Sequence, residues 1–534
     1  MIIGRYGEKL LRPTAKAGWQ LAVLIAGSKL AGANGLRFGP DGRLYVAQAF
    51  GGQISAYDLA AGKTTVISGA GGQIIAPDDL AFDSHGSLFA TEVMSARVSA
   101  QRPNGDIDVI AHNVPVANGI VVHNDRIFIS EFNPEGRILE LFADGSTPRV
   151  ICSQLMMPNA LSMGADNYLY FPLVPLGEIW RVHVDGGAAQ KVAEGFNIPT
   201  AVKFSPSGKL VVVESGTGTV TALDVSSKTK TTLGKVAFGI DNLAFSADGR
   251  LFVSHFTDGG VVEITANGSS KQLVPGGMLG PFGLAVNNSG HLVIADGMSL
   301  AIVTGEGLVR RPAMLLEHGF PGYVRAVAVD TDDSYVTTNS AGVVARYQPG
   351  SEAEIIAEGF NELMGITLNR SGAIVVAEAG AGSVVEINTK GKSRVLVSGL
   401  QRPTGVHCCA DGSILISESR AGKVSRYKDG ITELLVEGLS EPHGVTEVSG
   451  QVYVVDRGSH RLLKLNANTA EAETLVENLP VGISGGLQMN TLPGIKDIMP
   501  GPLLSFSDIA ALSNGALCIG GDEDGSVIVV VHEG

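Results

Sequence analysis

Apolar residues along this chain come in runs of about four to six, each cut off by glycine, asparagine, aspartate or serine, instead of following the 3.6-residue period of an amphipathic helix. The runs form a repeating unit. It reads apolar triplet, two residues, Asp/Asn/Ser-Gly, a second apolar run ending in an acid, a Gly-rich turn, two more apolar runs and a Gly-aliphatic-x-x-Pro exit. Copies lie at 36–59 (LRFGPDGRLYVAQAFGGQISAYDL), 243–264 (LAFSADGRLFVSHFTDGGVVEI), 366–387 (ITLNRSGAIVVAEAGAGSVVEI) and 406–427 (VHCCADGSILISESRAGKVSRY).

Aligning the residue before each opening triplet gives Asn34, Asp78, Asn118, Asn159, Thr200, Asp241, Phe282, Arg325, Met364, Thr404, His443 and Ser507. Twelve units of roughly forty residues follow. Four apolar segments per unit, separated by turn signals, predict a four-stranded antiparallel propeller blade. Because propellers typically have about four to eight blades, the chain is expected to be all-β, with two tandem six-bladed β-propellers. One twelve-bladed ring, or domains that borrow strands from each other, are the alternatives.

This reading assigns 1–18 to an N-terminal extension, 19–275 to a first propeller and 276–534 to a second. The segment at 19–26 aligns with a fourth, outermost strand, and the last unit stops after its third. The expectation is that 19–26 closes the sixth blade of the first propeller and 271–274 the sixth blade of the second, which would hide exposed sheet edges. The excursion at 480–507, rich in Gly, Pro and Met, interrupts the repeat and is expected to be a lid, an interdomain brace or an inert loop.

Composition agrees with a turn-dense globular protein: 70 of 534 residues are Gly and 44% are hydrophobic. A net charge of −14 with no Lys/Arg cluster argues against nucleic acid. No stretch approaches the ~18 apolar residues of a membrane helix, so no membrane partner is expected. Four cysteines, two of them adjacent (Cys408, Cys409), do not make a disulfide framework. A soluble, cytoplasmic protein is expected, although 19–27 after basic residues also has the outline of a signal peptide. Homo-oligomerisation is left open.

In a propeller the residues opening each innermost strand converge around the central channel. For the first six units that ring is Asn34, Asp78, Asn118, Asn159, Thr200 and Asp241, all short and oxygen-bearing; for the second it is Phe282, Arg325, Met364, Thr404, His443 and Ser507. A hard cation needs six to eight oxygens, so the first ring points to Ca²⁺, or to Mg²⁺, Mn²⁺ or Zn²⁺. The competing reading is that Asn and Asp only cap turns. Turn capping would operate in both halves, yet the second half lacks these residues. Acids recur at the end of the second strands (Glu92, Glu131 and Glu214, beside Gln48 and Leu173, in the first half); His255 departs from them and is a candidate general base. His443 and Arg325 in the second channel could bind an anion or act in a lyase, but read rather as packed or solvated residues. The sequence carries no serine-hydrolase elbow, zincin or nucleotide motif.

The segments PDDLAFDSHGSLFATE (77–92), ANGIVV (117–122), MPNALSM (157–163) and GIDNLAFSADGRLFVSH (239–255) resemble the six-bladed superfamily of senescence-marker protein, gluconolactonase and paraoxonase, over roughly 19–275. The resemblance implies a divalent cation in the channel and hydrolysis of lactones or related esters. By motif it implies Asn118 and Asn159 as ligands, with Asp241 and Asn242 resembling the paired Asp-Asn of the paraoxonase branch. Two departures stand out: Asn34 takes the place of the family's first-blade Glu, and Thr200 that of an Asp. The expectation is therefore a metal-dependent lactone or ester hydrolase acting on a small molecule. Its cation ligands would be Asn34, Asp78, Asn118, Asn159, Asp241 and Asn242, and water would be activated by Asp78, Asp241 or His255. A metal-assisted lyase or cyclase and a non-catalytic binding scaffold are the alternatives.

Overall fold

The computed structural model describes residues 2–304, 307–466, 469–482, 492–496 and 498–533. Among these the chain is all-β, with only two single-turn 3-10 segments. Eleven of its twelve blades are four-stranded, and the other gains a fifth strand, Thr14–Ala15, on its outer edge. In 243–264, Gly249 (φ +85°) closes the turn between first and second strands, its N–H bonding to Ser246 at 2.9 Å. That left-handed geometry is why the Asp-Gly pair punctuates the repeat.

Inner strands Leu36–Phe38, Pro77–Phe82, Ala117–His123, Ser162–Met163, Pro199–Phe204 and Ile240–Phe245 pack in order, and the last returns to the first. Gly283–Val286, Val324–Val329, Leu363–Leu368, Pro403–Cys408, Pro442–Val448 and Ile509–Ala511 close a second ring in the same way. We call these the N-propeller and the C-propeller. Burial falls outward along each blade: Leu44–Gln48 is buried throughout, whereas Lys63–Ser68 alternates with solvent. The core is thus apolar packing between neighbouring blades.

The acids that end the second strands anchor the links between blades. Glu92 accepts the N–H of Ile75 (2.6 Å), Glu214 that of Asn197 (2.9 Å), Glu418 that of Gln401 (2.7 Å) and Asp456 that of Glu441 (2.7 Å). These are structural bonds to linker amides, each worth roughly 1.5–3 kcal/mol.

One expectation is overturned. Trp19–Ile25 pairs antiparallel with Ser526–His532, Trp19 opposite His532, so it closes the last C-propeller blade and not the N-propeller. Ser270–Val274 pairs with Val261–Ile264 inside the sixth N-propeller blade and does not close the C-propeller. The reason is local. A five-residue turn returns 270–274 directly onto its neighbour, filling that edge at little entropic cost, while the edge of Ser526–His532 stays open to a strand from elsewhere. Residues 19–25 therefore belong with the C-propeller rather than with the 19–275 unit.

The two propellers pack with their upper faces, those on which the inner strands begin, toward each other. Phe50, Met94 and Phe256 from N-propeller loops share one hydrophobic cluster with Leu279, Phe282 and Tyr323 from the C-propeller side. Phe50 stacks on Tyr323 with ring centroids 6.1 Å apart. Within the 480–507 excursion, 483–491 and 497 lie outside the described residues. The remainder includes a hairpin, Leu492–Ile495 with Met499–Leu503, whose Ile495 and Met499 join the same cluster.

Candidate functional site

The first ring lies at the top of the N-propeller channel, and its six members are buried or nearly so. Asn34 donates from Nδ2 to Asp241 Oδ2 at 3.2 Å, bringing the first and sixth blades together. Burial pushes the carboxyl of Asp78 well up, and the nearby charges of Asp241 and Asp79 push it further. Burial likewise raises Asp241, with Asp79 adding to the shift and the Asn34 bond and Lys203 opposing it. Asp78 and Asp241 are thus two like charges held close in a low-dielectric site. Asn118 Oδ1 is buried and has no hydrogen-bond partner among the described residues.

The remaining amides are partly committed. Asn159 Oδ1 accepts the N–H of Ala160 (2.6 Å), Asn242 Oδ1 that of Leu243 (2.8 Å) and Asn34 Oδ1 that of Ala49 (3.2 Å). Asn159 and Asn242 thus bond the amide of the next residue, and Asn34 that of the residue just after the second strand of its own blade. Each carbonyl keeps a second lone pair. Among the described residues no three His, Cys, Asp or Glu side chains gather into a metal cluster. A cation here would rest on two carboxylates and on amide oxygens. The orphaned Asn118 oxygen and the buried Asp78–Asp241 pair fit that role; the Nδ2 of Asn242 is turned to Asp79 Oδ1 at 3.3 Å, as that of Asn34 is to Asp241.

Asp79 was not singled out by sequence, although the tandem Asp78-Asp79 mirrors Asp241-Asn242. It is fully buried and accepts the N–H of Ile120 at 3.2 Å and that of Leu80 at 2.9 Å. Two cations further along the inner strands also escaped notice. Arg37 donates to the carbonyls of Leu80 (2.9 Å) and Ile120 (3.0 Å), and Lys203 to that of Leu36 (2.7 Å). Burial and then Arg37 pull Lys203 down to about 7, against the opposing charges of Asp79 and Asp241. The signal in the sequence was a basic residue three places after Asn34 and after Thr200, inside an otherwise apolar run.

His255 ends the second strand of the sixth blade, 3% exposed, and neither ring nitrogen has a partner among the described residues. The structure does not join its ring to Asp78 or Asp241 by a hydrogen bond. Thr200 Oγ1 donates to the carbonyl of Ile240 at 3.3 Å and so acts within the wall.

The second channel is built differently. Arg325 is a staple, donating to the carbonyls of Leu363, Pro502 and Leu504, which ties the 492–503 hairpin over that channel. His443 belongs to a charged network that sequence reasoning missed. Its Nε2 lies 3.5 Å from Glu441 Oε1, and Glu441 also contacts Arg457 at 3.2 Å. Arg457 donates to Asp522 at 3.0 Å and to Ser505 at 2.8 Å. Burial alone would raise Glu441, but His443 and Arg457 outweigh it and hold it at about 2. Burial lowers His443, leaving a neutral imidazole beside an ionised carboxylate at neutral pH.

Residues 156–276 match the family model described as SMP-30/Gluconolactonase/LRE-like region. A comparison with curated proteins returned no match. Among solved structures, the chain is similar to virginiamycin B lyase from Staphylococcus aureus, with 18% identity and a TM-score of 0.38, covering 55% of this chain and 98% of that one. It is similar to a putative gluconolactonase at 15% identity and TM-score 0.38, covering 49% and 95%. The extracellular domain of a putative one-component system from B. thetaiotaomicron aligns over 94% of this chain and 75% of its own, at 11% identity and TM-score 0.33. Repeating four-stranded blades in two closed rings make this a β-propeller fold, and within the first ring residues 156–276 match the SMP-30/Gluconolactonase/LRE-like region.

Proposed function

We propose that the N-propeller is a divalent-cation-dependent hydrolase of a lactone or related ester. The observation that carries this reading is the buried pair Asp78 and Asp241, both with raised carboxyl pKa, beside an Asn118 oxygen that has no protein partner. Asp78, Asp241, Asn118, Asn34 and Asn159 would hold the cation, Ca²⁺ best matching an all-oxygen set. Such an ion supplies Lewis-acid polarisation of a carbonyl oxygen. The chain's own part is to position the acyl group, exclude water through the packed upper faces and take a proton from the attacking water. A buried carboxylate suits that proton transfer near neutral pH where it stays off the cation, whose charge would lower its pKa. Whichever of Asp78 and Asp241 is left off the ion would fill the role from the ring, and His255 is the remaining unpartnered base nearby in the sixth blade.

The test has two readouts. Chelated, dialysed protein should lose turnover of a lactone panel and recover it with Ca²⁺, and Asp78→Asn or Asp241→Asn should lower kcat/KM about a hundredfold or more. Independently of activity, Ca²⁺ at ~100 times its Kd should stabilise the N-propeller by about 2.7 kcal/mol, seen through Trp180 emission. Full turnover in metal-free protein would refute the reading. Product mass separates hydrolysis, which adds one water, from elimination.

A further inference from the structure

A chamber of about 280 Å³ lies between the propellers, over the C-propeller channel and away from the Asp78–Asp241 pair. That volume is near the lower end of the ~300–1,000 Å³ of small-molecule sites. Three parts of the chain enclose it: the N-terminal arm through Arg5 and Tyr6, the N-propeller through Ala31 and Phe50, and the C-propeller with its 492–503 hairpin. Phe50, Phe282, Tyr323, Met364 and Leu503 form the apolar part of its wall, beside a polar part that includes Arg402, Glu441, Asp522 and Glu523.

The polar groups are unevenly matched. Arg457 is paired with Glu441 and Asp522, and Arg402 with Glu362 at 2.7 Å. Arg5 is the exception. It is only 5% exposed, its Nη1 and Nη2 reach the carbonyls of Leu279 and Asp522 at 3.0 Å, and its Nε has no acceptor. No carboxylate lies within 4.0 Å of it among the described residues. The buried carboxylate of Asp524 acts on it electrostatically and the Tyr6 ring centroid lies 5.5 Å from its guanidinium carbon, but neither fills the open acceptor place at Nε, and a buried donor left open is costly. Tyr323 adds a second donor: it lines the same chamber and is buried.

We propose that this chamber binds a small monocarboxylate with an aromatic body, the carboxylate taken by Arg5 and Tyr323 and the ring by the Phe50, Phe282 and Leu503 wall. Guanidinium and phenol donors match the two acceptor oxygens of a carboxylate. The flat stacked face of Phe50 and Tyr323 offers a surface for a ring. The site is composite, since Arg5 reaches it only because the carbonyl of Arg5 is itself held by Gln53 Nε2 of the N-propeller at 2.7 Å. The proposal is independent of the N-propeller chemistry.

The test uses full-length protein and isothermal titration with phenylacetate, 3-phenylpropionate and 4-phenylbutyrate, each against its uncharged amide. At least one acid should bind saturably and about tenfold more tightly than its amide, the size of a charge-assisted hydrogen bond. Arg5→Gln should weaken the acid about tenfold and leave the amide unchanged, which separates lost charge recognition from a displaced arm. Tyr323→Phe keeps the ring stack and should weaken the acid severalfold. Absence of saturable binding by all three acids, equal affinity for acid and amide, or indifference of the acid to both substitutions would overturn the proposal.

Discussion

Asp508 offers a quantitative check on how the C-propeller ring is closed. Its Oδ2 accepts the N–H of Leu284 at 3.0 Å and its Oδ1 that of Ile509 at 2.9 Å, so one carboxylate ties the last inner strand to the first. Burial pushes its pKa up to about 7, with those two amides opposing the shift. Against an ordinary value near ~3.9, that is about three units, or at most ~4 kcal/mol, less whatever the channel's own water screens. The sign follows from proton binding. The folded state holds the proton more tightly, so stability is highest below about pH 4, falls between about pH 4 and 7, and is level above. Asp508→Asn removes the titration but turns an amide nitrogen toward one backbone N–H, costing roughly 1–3 kcal/mol at all pH values. The variant should therefore be less stable than the parent at pH 4 and equal or more stable at pH 8. Trp19 sits in the same blade, so thermal unfolding followed by its emission in a Trp180→Phe background reads this ring alone, at pH values on either side of the pI near 5.3. Parallel pH profiles for the two proteins would refute the assignment.

Two further tests bear on architecture. Deleting residues 2–26 should lower the C-propeller transition, seen by calorimetry as the one that Trp180 emission does not follow, and leave the Trp180 transition of the N-propeller in place; a synthetic 14–27 peptide should restore it. Gly35→Ala would set a Cβ 2.5 Å from Asp79 Oδ1 and 2.6 Å from its Cα, so it should destabilise the N-propeller by roughly 1–3 kcal/mol, measured through Trp180 in a Trp19→Phe background.

Much of the architecture was legible because a propeller repeats one local grammar. Glycine at the left-handed turn position, as at Gly249, and an acid accepting linker amides, as at Glu92 and Glu418, recur in register from blade to blade. Strand partnership across the whole chain was not legible. The segment at 19–26 looks like any outermost strand, and only the already filled edge at Val261–Ile264 sends it to the other propeller. At the site, residue types were readable but commitments were not: nothing in the sequence says that the amide oxygens of Asn159 and Asn242 are taken by the next residue's N–H. The Glu441–His443–Arg457–Asp522 network draws on two blades and is completed by the descending 480–507 segment through Ser505, so no local pattern announces it. Arg5 lies even further from its setting, with partners at Leu279 and Asp522.

The pairing of Trp19–Ile25 with Ser526–His532 makes the N-propeller an insertion between two strands of a single blade. During synthesis the first of those strands emerges before any of the N-propeller, and its partner only after the N-propeller and the other C-propeller blades. The N-propeller can complete its ring before the C-propeller blades are made; the C-propeller can close only once 526–532 has emerged. For that whole interval an apolar strand must wait without its neighbour, so any arrest of translation within the last blade leaves two unmatched sheet edges in one molecule. The same strand that seals the finished protein makes its unfinished forms adhesive, and thereby easy for quality-control factors to recognise.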